Sequence, residues 1–454
     1  MGCSRTRRLA TGILIATALA AVAFLCWLFM SYCSGRAQTV FAVYLDGSGS
    51  LLEVQQRNLV EILSATEGRD DCEVIVCLDR GVNPPAMIAW QWAGCRVFRC
   101  GAGFSETLVS PLQSGVPQSM SVDRFEKICA DAGTGSRELI QRSYHMQHDR
   151  YLAVTLTQEQ EILLQNAWRK AGYVFLDDLA PDAPAAVKMR AFFAHVRDNY
   201  AGTRYVWLIS GHGSGWFDAG DRPGDRAFVR ADLPLHAQIL RDVCTGNRPD
   251  ILYADMCYMA QLETIYELRN AADWLILWQG VAPAQGHSFA GLFERQGLVS
   301  PDAAVLAHNL CDHAAGVLKA SRLDSALVLV RPAAGLVEYA DAFQQAAERC
   351  DAPDVKAALN RMKPFATADV FLSQHADLAE VEQLLRDADP GFRAQKNFVT
   401  GVYSNKADMT GISVYFPVEQ LYTEKMLTQY RGLEFFTRGG EKGWPRPALE
   451  RVRP

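Results

Sequence analysis

Two short runs of apolar, β-prone residues constrain the fold more than anything else in this chain. Tyr205-Val206-Trp207-Leu208-Ile209-Ser210 stops at Gly211-His212-Gly213-Ser214-Gly215-Trp216, and Asp250-Ile251-Leu252-Tyr253-Ala254 stops at Asp255-Met256-Cys257. Short runs without polar alternation, bounded by turn residues, read as strands buried on both faces, the condition of a parallel sheet covered by helices. In an open sheet of that kind reactive groups collect just beyond the carboxyl ends of the strands. The two motifs then set His212 and Cys257 side by side, the minimum for a cysteine nucleophile with a general acid or base.

The rest of the chain supports that sheet. Val40 to Leu45 and Val74 to Leu78 read as strands, and Tyr173 to Leu176 as the start of a third. Leu52, Leu59, Ile62 and Leu63 recur at helical spacing, as do Val187, Phe192, Phe193 and Val196 in a helix from about Pro184 to Tyr200. Such alternation predicts an α/β fold, a largely parallel sheet flanked by helices. The segment from Cys100 to Gln147 is rich in glycine, serine and proline without a sustained apolar period, so residues 95–150 are expected to be an insertion or surface loop. Arg137, Arg142 and Arg150 there are candidate self-cleavage points or solvated loop arginines. After Phe289 the pattern changes to helices at Pro301 to Leu318, Glu338 to Arg349 and Asp377 to Asp387, with strands at Ala326 to Val330 and Ile412 to Phe416. The expected division is a leader at 1–37, a catalytic domain at 38–299 and a smaller C-terminal α/β lobe at 300–454.

Composition enters where it limits partners. A net charge of −6 and a pI near 5.9, with no basic block in the body of the chain, argue against nucleic acid, whose phosphates demand a basic surface. At the N-terminus Arg5, Arg7 and Arg8 precede an uncharged stretch from Leu9 to Tyr32. It is about the length that crosses a bilayer, roughly 20 residues, with the basic end kept inside. Both an uncleaved membrane anchor and a cleaved signal fit it, and either places the body of the chain in the cell envelope or outside the cytoplasm. Myristoylation at Gly2 or lipidation at Cys33 adds little to a spanning segment. The spacings Cys72/Cys77 and Cys95/Cys100 suggest metal ligands, but five residues along a strand place two side chains on opposite faces, so buried thiols or disulfides are expected and no metal.

The motifs resemble those of the clostripain-like cysteine peptidases, which share the caspase/hemoglobinase fold. The resemblance lies in His212-Gly213-Ser214-Gly215-Trp216 after one strand, Asp255-Met256-Cys257-Tyr258-Met259 after the next, and then Glu263 and Tyr266-Glu267-Leu268-Arg269. It extends to the opening at Thr39 to Glu53 and to Gly411 to Pro417, Tyr430, Leu433, Phe435 and Trp444. It implies an endopeptidase acting on proteins or peptides, with Cys257 as nucleophile, His212 as proton donor to the leaving amine, and the amides of Gly213 and Cys257 as oxyanion hole. It implies that Asp255 lies in the pocket for the residue before the cut and selects arginine over lysine, a carboxylate engaging a guanidinium through two bonds. No cofactor is implied, and a calcium requirement stays open. The chain departs from the pattern at Trp278-Gln279, where relatives carry Ser-Glu on the opposite wall of that pocket.

Duller readings exist for each residue. Cys257 is then a buried structural thiol, His212 a hydrogen-bonded surface residue, and Asp255 an N-cap for a helix starting near Met259. Asp46-Gly47-Ser48-Gly49-Ser50 after an apolar strand also resembles the metal-adhesion motif of von Willebrand A domains, with Asp46, Ser48 and Ser50 ligating magnesium in a binding module. That alternative leaves both central motifs unexplained. A serine esterase is the third possibility, and it lacks a Gly-x-Ser-x-Gly elbow.

Overall fold

In the computed structural model the residues described are 37–47, 51–81, 94–100, 183–216, 236–283, 288–362 and 374–452, a few positions within these spans aside, with residue 365 and three short strands between 119 and 153. The first apolar run becomes β1 (Ala37–Asp46), and every residue from Val40 to Leu45 is fully buried. Its side chains divide by parity. Val40, Ala42 and Tyr44 pack into one apolar cluster, and Phe41, Val43 and Leu45 into another on the opposite face. Both faces are covered, so the sequence shows no polar alternation.

The remaining strands are β2 (Cys72–Asp79), β3 (Cys95–Cys100), β4 (Ser119–Ser121), β5 (Tyr144–Gln147), β6 (Arg150–Ala153), β7 (Gly202–Ser210), β8 (Ile251–Asp255), β9 (Trp274–Trp278), β10 (Ala326–Val330), β11 (His375–Asp377), β12 (Val399–Ser404) and β13 (Ser413–Tyr415). Eight of them form one sheet in the order β12-β10-β9-β8-β7-β1-β2-β3. The five inner strands β9, β8, β7, β1 and β2 are parallel, and β3 and β10 join them antiparallel. From β1 the chain builds outward to β2 on one side and, after returning to β7, outward to β8 and β9 on the other. The order therefore reverses between β1 and β7, where a crevice opens beyond the strands' carboxyl ends.

Helices cover both faces. Of α1 (Leu52–Ala65), α2 (Ala185–Asn199), α3 (His236–Cys244), α4 (Leu262–Glu267), α5 (Phe289–Glu294) and α6 (Ala303–Ser321), α1, α5 and α6 supply Leu59, Phe289, Leu292 and Leu310 to the cluster of Phe41 on one face, while α2, α3 and α4 supply Phe192, Leu240 and Ile265 to that of Val40 on the other. The later α7 (Leu336–Glu348), α8 (Pro353–Arg361), α9 (Leu378–Ala388), α10 (Gln420–Tyr430), α11 (Glu434–Gly439) and α12 (Arg446–Glu450) extend the Val40 side.

Three expectations change. Residues 95–100 are not insertion but the edge strand β3, because Val97 and Phe98 pack into opposite cores; the excursion starts after Cys100. Within it β4, β6 and β5 pair as a separate antiparallel sheet, and Arg150 opens β6 instead of lying on a loop, while Arg137 and Arg142 lie outside the described residues. The boundary near residue 300 runs through the main sheet, since β10 pairs with β9 and β12 with β10; the C-terminal part adds only the two-stranded β11–β13 sheet of its own. The expected strand at 173–176 and the leader, with its apolar run, lie outside the described residues, among which no helix is long and apolar enough to cross a membrane. The cysteines divide as strand geometry requires: Cys77 and Cys95 face one core, Cys72 and Cys100 the other.

In α2 the helical phase differs by one residue from the expected stripe. Val187 is 43% exposed, while Lys188 stands in the buried row with Ala185, Met189, Phe192 and Phe193. Its Nζ lies 2.7 Å from Asp79 Oδ2 at the end of β2, and Tyr44 Oη donates to the same oxygen at 2.9 Å. Burial, the largest single influence, lowers the lysine pKa, but the charge and hydrogen bond of Asp79, with smaller help from Cys95 and Asp46, together outweigh it and leave the pKa raised. Lys188→Met leaves that buried carboxylate without its cation, so stability should fall by about 3 kcal/mol, read as a lower urea midpoint. A midpoint equal to wild type would mean that Asp79 does not depend on the pair.

Candidate active site

The parallel register of β7 and β8 positions the two sequence motifs. Ser210 pairs with Asp255, and Gly211 N–H continues the ladder to Asp255 C=O at 3.4 Å. His212 and Cys257 each follow two residues later, at equivalent places in neighbouring loops, and both are partly exposed. The loops touch through Gly213. A Cβ built there would lie 2.6 Å from the carbonyl oxygen of Cys257, 3.0 Å from its amide nitrogen and 2.7 Å from Met256 Cβ. Only a glycine fits, and it brings the histidine loop's backbone against that of the cysteine.

The other two glycines of the motif serve different needs. Gly215 takes a left-handed φ of +70° and lies against the Gln261 side chain, whose Oε1 accepts from Trp216 N–H at 3.2 Å. Gly211 gives room to the buried Asp46 at the end of β1: a Cβ on it would stand 2.9 Å from Asp46 Cβ. After Cys257 the chain turns at Tyr258, which holds φ at +60°, uncommon for a residue with a side chain. Backbone bonds from Tyr258 N–H to Gly280 C=O at 2.9 Å and from Ala260 N–H to Trp278 C=O at 2.8 Å hold this turn across the end of β9.

Asp255 is buried on the same side of the sheet as Ser210, and it caps no helix: the next helix, α4, begins at Leu262 with Gln261 before it. Its Oδ2 accepts from Ser210 Oγ at 3.0 Å and its Oδ1 from Trp278 Nε1 at 3.1 Å. Burial pushes its pKa up to about 6 against the lowering effect of those two bonds. Ser210 Oγ in turn accepts from Gln55 Nε2 at 3.1 Å, and Asn58 Nδ2 donates to Gln55 Oε1 at 3.0 Å. Sequence reasoning missed this chain from α1 because Gln55 and Asn58 look like ordinary polar helix residues, although an i, i+3 pair of amides on the apolar side of the helix was a visible signal.

Trp278 and Gln279, expected on one wall together, diverge as successive strand residues must. Trp278 meets Asp255. Gln279 is fully buried and uses both ends of its amide toward the C-terminal part, donating to Asp377 Oδ2 at 2.9 Å and accepting from Gly411 N–H at 2.8 Å. The two glutamates of α4 do the same. Glu263 Oε1 accepts from Tyr415 N–H at 2.9 Å and from Tyr430 Oη at 3.2 Å. Glu267 Oε1 accepts from Glu434 N–H at 2.6 Å and Phe435 N–H at 3.2 Å, while Arg241 Nη1 donates to its Oε2 at 2.9 Å. Tyr415, Tyr430 and Phe435 entered the sequence reading only through the family resemblance, with no role attached; here they brace the helix that follows Cys257. Ser48 and Ser50 of the alternative magnesium motif lie outside the described residues.

An open, largely parallel sheet covered by helices, with a cysteine and a histidine beyond adjacent strand ends, is an arrangement suited to a cysteine peptidase. A sequence model of the clostripain family matches residues 43–326, more than half of the chain, and the chain belongs to that family. It is therefore a cysteine peptidase. Among solved structures it is similar to a secreted C11 cysteine protease from Bacteroides thetaiotaomicron in complex with an irreversible peptide inhibitor, at 14% identity and a TM-score of 0.54, over 89% of this chain and 99% of that one. An inactive zymogen C11 protease from Parabacteroides distasonis is similar at 13% identity and a TM-score of 0.52, over 89% and 98%. Identities this low establish a shared fold. No curated protein matches the chain.

Glu263 makes the site's frame sensitive to pH. It is fully buried, and burial raises its pKa from 4.5 to about 7 against the bonds from Tyr415 and Tyr430. A carboxyl whose folded pKa is raised contributes stability that is fully present below pH 4.5 and is lost as pH rises through about 7. Glu263→Gln keeps an acceptor for both donors and cannot ionise. Between about pH 5 and pH 8 its Tm should fall less than that of wild type, and parallel Tm curves would refute the assignment.

Proposed function

We propose that the protein is an endopeptidase in which Cys257 is the nucleophile and His212 the general acid and base, cutting proteins or peptides after a basic residue. The contact of Gly213 with the backbone of Cys257 carries this reading, because it brings together the loops of the two reactive side chains and the two amides suited to an oxyanion hole. The Cys257 thiolate attacks the scissile carbonyl carbon and forms a C–S bond, while the carbonyl electron pair moves to oxygen beside the N–H groups of Gly213 and Cys257. As the tetrahedral adduct collapses, the C–N bond breaks and His212 gives its proton to the departing amine. Water, losing a proton to His212, then attacks the acyl carbon; the C–S bond breaks, the carboxylic acid product leaves, and the Cys257 thiolate and protonated His212 are restored.

Asp255 supplies the selectivity. It lies two residues before the nucleophile, is buried, and is held by neutral donors, so a guanidinium or ammonium entering beside it meets an uncompensated carboxylate. Arginine is favoured over lysine because its fork engages both oxygens. Trp278 borders this pocket, and Gln279 acts one step behind it by holding Gly411. The basic and apolar residues of the leader support export, with the N-terminal segment as membrane anchor or signal and the catalytic part outside the cytoplasm.

Cys257→Ala and His212→Ala should each abolish hydrolysis of fluorogenic peptides while leaving the far-UV spectrum and melting temperature close to wild type. Asp255→Ala should lower kcat/KM for arginyl and lysyl peptides by about tenfold or more, the loss of one charge-assisted hydrogen bond. Turnover like wild type in a folded Cys257 or His212 variant would eliminate the pair, and faster cleavage after neutral or acidic residues would eliminate Asp255 as selector.

A further inference from the structure

The carboxylate assigned to receive a basic side chain is already fully engaged in the protein alone. One arm of its hydrogen bonding is rigid: Ser210 Oγ donates to Oδ2 at 3.0 Å, and that hydroxyl accepts from Gln55 Nε2 at 3.1 Å, itself held by Asn58. The other arm is a single contact from a side chain at the last position of β9, Trp278 Nε1–H to Oδ1 at 3.1 Å. With both in place Asp255 is only 6% exposed, and Trp278 is 1% exposed. Little of the carboxylate is open to a substrate cation while both donors are in place. The serine is fixed from behind by the α1 amides, whereas the indole is held by apolar packing, by the neighbouring Tyr253 hydroxyl and by the bond it would give up.

We propose that Trp278 is a displaceable plug in the specificity pocket: its indole N–H occupies the place of the substrate cation on Asp255, and an arginyl or lysyl side chain enters by replacing it. This rests on the reading of Asp255 as the selector beside Cys257. The exchange is favourable for a cation and for nothing else. Two neutral donors leave the buried charge of Asp255 uncompensated, and substituting a charged donor for one of them gives a shorter bond roughly twice as strong. A neutral side chain offers no such return, so the plug stays in place against it. Trp278 therefore adds discrimination by a cost imposed on every substrate and recovered only by basic ones. The freed indole lies beside the entering side chain, where its ring face suits a guanidinium.

The test places 5-fluorotryptophan at position 278 alone in the full chain and follows its fluorine resonance as benzamidine, a planar cation, or neutral benzamide is added. Benzamidine should shift the resonance and benzamide should not, and Asp255→Asn should remove the shift. In parallel Trp278→Phe, which keeps a ring and loses the N–H, should lower KM for neutral peptides by roughly tenfold at about pH 8 and for arginyl peptides by less, with kcat little changed, so that the preference for arginine narrows. A resonance that stays put while benzamidine competes with substrate overturns the plug, as does a raised KM in Trp278→Phe. Cleavage after neutral residues only, with no fluorine shift, makes Trp278 a fixed wall and leaves the peptidase reading standing. A fluorine shift with no hydrolysis of any peptide sinks the peptidase reading and keeps the plug.

Discussion

The site depends on one constraint, the in-register parallel pairing of β7 with β8. Because Ser210 lies opposite Asp255, every residue beyond the two strand ends is matched in height, and two loops with no sequence relation emerge side by side. The period of two in a strand then places Ser210 and Asp255 on one face with hydrogen bonds between them. A slip of one residue would turn Asp255 toward the opposite core and separate His212 from Cys257 along the strand direction. Full burial of both faces specifies the register, since Val206 to Ile209 and Ile251 to Ala254 are all buried and none can be exchanged for a polar neighbour at low cost.

Around that pairing the protein uses buried polar groups as joints. Asp79 with Lys188 and Tyr44 joins α2 to the end of β2, and Glu263, Glu267 and Gln279 tie the segments on either side of the site to β13, α10 and α11. Each costs desolvation, and each is met by backbone N–H groups, hydroxyls or a charge from a distant part of the chain. Those ties explain why the C-terminal residues belong to the same body as the catalytic loops although they carry no reactive group. Asp255 and Glu263 are both held by neutral donors, but Asp255 lies two residues before Cys257 and takes one of its bonds from an otherwise apolar side chain, whereas the donors of Glu263 come from β13 and α10. That difference in place separates the pocket from the frame.

The sequence by itself determined the sheet and the strand-end loops, and with them the placing of His212 and Cys257 beyond neighbouring strands. Apolar runs without alternation have few alternatives to a covered parallel sheet, and glycines beside a histidine mark a backbone that must approach another closely, as Gly213 does. The strands at Val40 to Leu45, Val74 to Leu78 and Ala326 to Val330 and the helices around Leu59, Phe192 and Leu310 were legible for the same reason, since local periodicity carries them. Tertiary structure alone decided what no local pattern encodes. It assigned Cys95–Cys100 to the sheet edge and β10 and β12 to the main sheet, because strand pairing joins segments far apart in the chain. It turned Lys188 inward and Val187 outward, because a buried cation is stable only beside Asp79, whose position is set by another strand. It sent Gln279 to Asp377 and brought Trp278, Ser210 and Gln55 around Asp255. Hydrogen-bond partners of buried groups are chosen by three-dimensional neighbours, and sequence spacing carries no record of them.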